Sequence, residues 1–267
     1  MRLILIDRDE NVRKNFHPLA LSRPIWELRC GMRSLAERLI EKAGAVDVAC
    51  FVPDYMAEAY RERTDRAVND LTSLSGDDLL IVDACLKAEQ FDVETKGASE
   101  VGLDSEGRVL YARVTKADAG KLAAGSIEEF LASAKESLPA KTCSMATWDY
   151  TWDLVLANPE VLTADFKAAG RVGVEAAVEQ PNAIRGSEKD VYIAGGAKIH
   201  PMVVIDAEHG PVYIDEGVEV HPFTRIEGPC YIGKNSILLG AKCREGNSIG
   251  PMCRIGGEVE EWIIQGY

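Results

Sequence analysis

The chain has 267 residues, a formal net charge of −13 and a pI near 4.9, with 46% hydrophobic and 27% charged residues. That is enough length for two domains of ordinary globular composition, and the acidity excludes a protein that wraps nucleic acid or sits on an anionic membrane. The opening MRLILIDRDE meets charge too soon for a signal peptide, and no window is apolar enough for a transmembrane helix. Seven cysteines form no C-x-x-C pair and mostly stand among aliphatic residues, which fits core filling in a reducing cytoplasm and gives zinc no cysteine site.

In chain order, Leu3 to Ile6 reads as a first buried strand. Met32, Leu35, Ala36, Leu39 and Ile40 then recur at helical spacing, with Glu37, Arg38, Glu41 and Lys42 outward and Gly44 as the stop. Val46–Val52 predicts a second strand, Asp54–Thr64 a helix and Leu79–Val82 a third, wholly apolar strand. Strand, helix, strand, helix, strand predicts a mostly parallel sheet with helices on both faces. Glu106-Gly107 predicts a turn before a strand over Val109–Val114, and Ser126 with Glu129 forms a capping box ahead of Phe130 and Leu131. Met145–Phe166 reads as helical but broken at Asn158-Pro159, and Gly170–Lys189 as the passage to a second domain. The expected division is an α/β domain over 1–170 and a second domain over 171–267.

From Val191 to Gly256 aliphatic residues recur every six positions: Ile193, Ile199, Ile205, then Ile214, Val220, Ile226, Ile232, Leu238, then Ile249, Ile255. The phase breaks at Ala207–Gly210 and around Ala241–Arg244, where a turn absorbs it. Period six fits neither helix nor simple strand alternation and is the hexapeptide signature of a parallel β-helix, roughly three units to a coil. One aliphatic per unit points to the axis. Gly195, Gly196, Gly217, Gly233, Asn235, Gly246, Asn247 and Gly250 supply the corners. A β-sandwich would need longer alternation and irregular turn spacing.

An open parallel sheet binds ligands at the carboxyl ends of its strands. The segment after the first strand, Asp7 to Arg33, is basic for so acidic a chain: Arg8, Arg13, Lys14, Arg23, Arg29 and Arg33 stand against Asp7, Asp9, Glu10 and Glu27. Forked guanidinium donors there suit di- or triphosphate oxygens, and a solvated, locally paired loop is the competing reading. There is no G-x-G-x-x-G and no P-loop motif.

Four segments carry a resemblance: PLALSRPIWELRCGMRSLAERL, WDLVLANPEVLTADF, GPVYIDEGVEVHPFTRIEGPCYIG and GAKCREGNSIGPMCRIGGEVEEWIIQGY. On these the chain resembles the family of the bifunctional N-acetylglucosamine-1-phosphate uridyltransferase / glucosamine-1-phosphate acetyltransferase, and more closely its divergent branch of sugar nucleotidyltransferases. The resemblance implies a nucleotidyltransferase-like α/β domain followed by a left-handed parallel β-helix of hexapeptide repeats, assembled as a homotrimer. It implies Mg2+-dependent transfer of a nucleotidyl group, from UTP or dTTP, to a sugar 1-phosphate such as N-acetylglucosamine 1-phosphate, with pyrophosphate released. Carried over by position, Arg23 and Asp83 are the catalytic candidates, and Asp83 is also the metal ligand or else a structural strand-end acid; from the basic segment, Arg13, Lys14, Arg29 and Arg33 are the substrate-binding candidates. The stretch departs from the family pattern in three places. IDRDENVRKNF lacks the glycine-rich loop, Arg23-Pro24 stands for Pro-Lys, and Val82-Asp83-Ala84 stands for Gly-Asp.

These departures leave a second reading, a catalytically degenerate protein that binds a nucleotide sugar or organises a trimer. A third, a hexapeptide acyltransferase, would need an acetyl-CoA site beyond Tyr267, where the expectation is of a truncated β-helix. His200 and His221 occupy matching places, Ile-His-Pro and Val-His-Pro, and are expected to stack on successive coils as corner residues, although trimeric β-helix carbonic anhydrases hold zinc with histidines on such surfaces. Trp148 and Trp152, at i and i+4, either stack a base or sugar ring or pack a helix on the sheet, the simpler account, and Asp149 and Asp153 share that spacing as a solvated face.

Overall fold

The computed structural model describes residues 1–266; Tyr267, which ends the last resembling segment, lies outside them. The chain divides into two compact units, Met1–Leu28 with Leu35–Thr151, and Arg29–Ser34 with Trp152–Tyr267. The first compact unit ends at Thr151, short of the expected division at 170, and residues 29–34 group with the second.

The first unit is built on one seven-stranded sheet: β1 (Arg2–Ile6), β2 (Asp47–Phe51), β3 (Ala67–Val68), β4 (Leu79–Asp83), β5 (Glu100–Leu103), β6 (Val109–Val114) and β7 (Ala140–Thr142). Their order across the sheet is β3-β2-β1-β4-β6-β5-β7. Neighbours pair in parallel except where β6 meets β4 and β5. Residues of β1 and β4 are buried on both sides, as a sheet covered on both faces requires. Ile4, Leu79 and Ile81 pack with Ile127, Phe130 and Ala134 of α3 (Ile127–Ser137), which follows the shorter α1 (Leu35–Ala43) and α2 (Asp54–Arg61). The N-cap half of the capping box forms: Ser126 Oγ accepts from the Glu129 N–H at 3.1 Å.

In the second unit the chain visits three sheets in rotation, every pair of neighbours parallel. The first runs from Gly173–Val174 through Val191–Ile193, Val212–Ile214, Cys230–Ile232 and Asn247–Ile249 to Ile263–Ile264. Three parallel ladders met in turn are consistent with a hexapeptide β-helix. All ten period-six aliphatics are buried, from Ile193 and Ile214 at 0% to Ile255 at 8% exposed. The phase breaks are where expected. The turn from Tyr192 to Tyr213 is three residues longer than that from Tyr213 to Tyr231, and Cys243 fills the axial place after Ala241. Winding begins earlier than expected: Gly173–Val174, Ala177–Val178 and Ala183–Gly186 already pair as a first coil, so 170–189 is not merely a passage.

The predicted break at Asn158-Pro159 does not occur. α4 (Thr151–Ala169) runs through Pro159. Asn158, fully buried, accepts from the Gly31 N–H at 2.7 Å and donates to the Gly246 carbonyl at 2.8 Å, while the Ser248 hydroxyl lies 2.9 Å from its Oδ1. Those bonds, with Asp165 accepting from the Met32 N–H at 2.8 Å, bind the 29–34 hairpin into the second unit and outweigh the lost proline N–H. Leu162 and Phe166 of α4 cover the stacked Tyr192, Tyr213 and Tyr231. Trp148 lies before this helix, buried with Lys87 Nζ 4.3 Å from its ring, whereas Trp152 is on α4 and 56% exposed, so the two do not share a helical face.

Gly233 tests the corner packing. A Cβ there would lie 2.7 Å from the backbone carbon of Gly250 on the next coil, and backbone cannot step aside. Gly233→Ala is expected to cost about 1–3 kcal/mol in urea denaturation, whereas Gly256→Ala, whose nearest neighbour would be 3.8 Å away, is expected to cost much less.

Candidate functional site

In the sheet order, β1 leads to β2 on one side while β4 lies on its other side, so the direction of winding switches between β1 and β4. The crevice beyond the carboxyl ends of two such strands is where α/β sheets receive ligands. Ile6 pairs with Asp83 as the two strands end, and the loops diverge from there. A cleft of about 210 Å³ opens at this point, lined by Ile6, Arg8, Asp9, Asp83, Arg108 and Glu128, among others. It is smaller than the roughly 300–1,000 Å³ of a pocket for a drug-sized ligand.

Asp83 is 8% exposed at the end of β4, and its Oδ1 accepts the Cys85 N–H at 2.8 Å. Burial pushes its carboxyl up to about 6, against the pull of Arg108 and the Cys85 N–H, and with help from the negative charge of Asp7 and Asp9. Arg108 enters because β6 runs antiparallel to β4, which sets the start of β6 beside the end of β4. Burial opposes its charge, but Asp83 and Asp104 outweigh that and hold the guanidinium above its ordinary value, with Asp104 3.2 Å away. On the other side Arg8 bonds the Val52 carbonyl and Asp54, each at 2.9 Å, and pairs with Glu128 at the start of α3. The cleft therefore carries three carboxylates against two guanidiniums.

The sequence candidates scatter. Asp83 lines the cleft. Arg23 does not, but its loop is tethered to the end of β1: the Ile25 N–H donates to Asp7 Oδ2 at 2.7 Å, two residues on. Arg23 is half-buried with no ion-pair partner among the described residues, and Lys14 is exposed. Arg13 is 1% exposed; it pairs with the equally buried Asp7, donates to the Ala20 carbonyl, and bonds the Tyr55 hydroxyl at 3.0 Å. A guanidinium so enclosed holds the loop together and offers no face to a substrate, which corrects the expectation for Arg13. Arg29 and Arg33 lie on the two strands of the 29–34 hairpin and belong to the second unit, not to that of Asp83. There Arg29 donates to the Met32 carbonyl and lies 5.7 Å from the Tyr231 ring centre.

Sequence reasoning missed Arg8 as a cleft residue distinct from its neighbours, and missed Asp9, Arg108 and Glu128 as lining groups altogether. The signal for Arg108 was the Glu106-Gly107 turn, which starts the strand that returns beside Asp83.

Residues 3–172 match the family model described as sugar nucleotidyl transferase. A comparison with curated proteins gives no match. Among the described residues, no helix is long and apolar enough to cross a membrane.

Proposed function

The chain belongs to the sugar nucleotidyl transferase family, and from that premise we propose that its first unit transfers a nucleotidyl group from a nucleoside triphosphate to a sugar 1-phosphate, at the cleft between β1 and β4. UTP or dTTP with a hexosamine 1-phosphate such as N-acetylglucosamine 1-phosphate is the pair we propose, on the strength of the sequence resemblance. The second unit is a left-handed β-helix that assembles three copies. The observation that carries the catalytic reading is Asp83, a nearly buried acid at the switch point, faced by Arg108 and by Asp9.

The reaction is an in-line displacement. An oxygen of the sugar phosphate attacks the α-phosphorus, a new P–O bond forms, and the bond to the β-phosphate oxygen breaks, with pyrophosphate as leaving group. Catalysis of such a step is mainly positioning and charge neutralisation. Arg8 and Arg108 would hold phosphate oxygens, and Arg23 would reach in from the loop tethered at Asp7. The surplus of carboxylates in the cleft repels a triphosphate unless a cation is present. Two hard oxygen donors, Asp83 and Asp9, fit Mg2+, which takes one or two carboxylates and completes its shell with substrate phosphates and water. When bound it would neutralise phosphate charge and supply Lewis-acid chemistry, with Asp83 and Asp9 as the residues that would hold it.

One observation favours the second reading, a degenerate member that binds without turning over. The turn after β1 holds no glycine, and its backbone is committed to the one-turn helix Glu10–Arg13 capped by Asp9. The test is pyrophosphate release with Mg2+, screening nucleoside triphosphates against glucose, glucosamine and N-acetylglucosamine 1-phosphates. Release that requires both substrates, and that falls at least about tenfold in Arg23→Ala with the fold intact, is the expected result. Silence across the panel, with Mg2+-dependent thermal stabilisation by a nucleotide sugar, would replace it with the binding reading.

A further inference from the structure

We infer that the second unit carries a binding site for a divalent transition cation of the zinc class, built by His200, Glu219 and His221. The site lies in a different unit from the cleft and does not depend on the reaction proposed for it. It arises from the winding. Glu179, His200 and His221 follow the ends of three paired strands of the second sheet, one coil apart, while Glu219 stands two residues before His221 on the same strand segment. Backbone bonds fix the column: the Glu179 N–H donates to Ile199 O at 2.9 Å, His200 N–H to Val220 O at 3.0 Å, and His221 N–H to Leu238 O at 2.9 Å.

The side chains converge on one point. Glu219 Oε1 is 3.0 Å from His200 Nε2 and 3.4 Å from His221 Nε2. One ligand atom from each residue lies within 4.8 Å of the others. Tetrahedral zinc with bonds of about 2.0–2.1 Å sets its ligand atoms roughly 3.3 Å apart, so two edges are nearly in place before any movement. The imidazole rings, centred 5.3 Å apart at 61°, are not stacked face to face but inclined, which lets both Nε2 atoms aim at the carboxylate. Two imidazoles and one carboxylate are the borderline donor set that suits zinc; calcium and magnesium prefer oxygen alone.

The surroundings add what a histidine ligand needs. Ligation through Nε2 places the ring proton on Nδ1, and Glu179 Oε1 stands 3.6 Å from Nδ1 of His200, beyond hydrogen-bond distance but near enough to favour the proton there electrostatically. Asn182 bonds the His200 carbonyl at 3.1 Å, and Thr224 Oγ1 donates to the His221 carbonyl at 2.7 Å, which steadies both ligand-bearing backbones. All three ligand side chains are partly exposed, from 29% to 40%, so water completes the shell and the metal has a path in. A simple His–Glu ladder would explain one of the two contacts to Glu219. It does not explain both imidazoles meeting the same oxygen with a second carboxylate behind the first.

The experiment is titration of the EDTA-stripped full chain with Zn2+ by calorimetry, and with Co2+ by absorption spectroscopy. We expect one equivalent of Zn2+ per chain, a rise in Tm, and Co2+ bands of tetrahedral intensity without thiolate charge transfer. Glu219→Gln and His221→Gln, both close in size to the native residue and checked for fold by circular dichroism, should abolish stoichiometric binding. Glu179→Gln should weaken it about tenfold, and Cys143→Ser should leave it unchanged. No binding by the native chain, binding that survives the two ligand substitutions, or one ion per three chains would overturn the site.

Discussion

Arg13→Ala is expected to destabilise the first unit by about 3–5 kcal/mol, the cost of stranding a buried charge whose partner has been removed. Asp7 and Arg13 are both about 1% exposed in their side chains. Asp7 also accepts the Ile25 N–H at 2.7 Å, so its loss of a counter-ion reaches the loop that bears Arg23. Chemical denaturation should show the change as a lower midpoint. Asp7→Asn combined with Arg13→Met removes both charges and should recover much of the loss, because it is the unpaired charge and not the missing bridge that costs most. If Arg13 instead gripped substrate, Arg13→Ala would raise KM at nearly unchanged stability, and the double variant would recover nothing.

The second unit was largely legible because its signal repeats. One aliphatic per six residues can serve only one axis, so each extra unit adds independent support, and the insertion after Ala207 was visible as a break in phase. What was not legible is how the corners are made. Gly196, Gly217, Asn235 and Gly246 take positive φ as expected, but so do Met202, Phe223 and Met252 (65°, 67° and 63°), each following a proline. Their side chains point to solvent, with Phe223 77% exposed, and the neighbouring coil's hydrogen bonds hold the backbone in place. Pro159 was misread for a related reason. A proline breaks a helix by local chemistry, but the bonds of Asn158 to Gly31 and Gly246 come from far along the chain, and no local rule sees them.

The candidate cleft was anticipated at one residue. Asp83 ends an apolar strand, and a strand end is where a parallel sheet exposes its chemistry. The basic stretch from Arg8 to Arg33 was treated as one loop, but folding sorts it by burial. Arg13 is swallowed by Asp7, Arg29 and Arg33 leave with the hairpin, and Arg8 alone reaches the cleft wall. Charge composition shows that arginines are present; it does not show which of them already has a partner. The missing half of the site came from Arg108 and Glu128, which only the sheet order and α3 bring near Asp83.

Asp83→Asn should separate chemistry from stability, since the two are expected to move in opposite directions. Burial raises the folded carboxyl from 3.8 to about 6, so between those values the native state binds more protons than the unfolded chain. The stability this group contributes is therefore complete below about pH 4, lost progressively as pH rises towards 6, and absent above it. The shift of about two units sets an upper bound of about 3 kcal/mol for that loss. Asparagine keeps an oxygen for the Cys85 N–H but carries no charge. The variant should therefore be more stable than the native protein at pH 8, by up to that amount, and no more stable near pH 4. Pyrophosphate release should meanwhile fall on the order of 100-fold or more, because the group that would hold Mg2+ and set the charge of the cleft is gone. Mg2+ with a nucleoside triphosphate should raise the native Tm and leave that of the variant where it was. A variant that is stabilised at pH 8 and still active would make Asp83 a strand-end acid with no part in the reaction. One that is inactive and equally destabilised at both pH values would show that the carboxylate is needed for the fold, and that its burial carries no protonation cost.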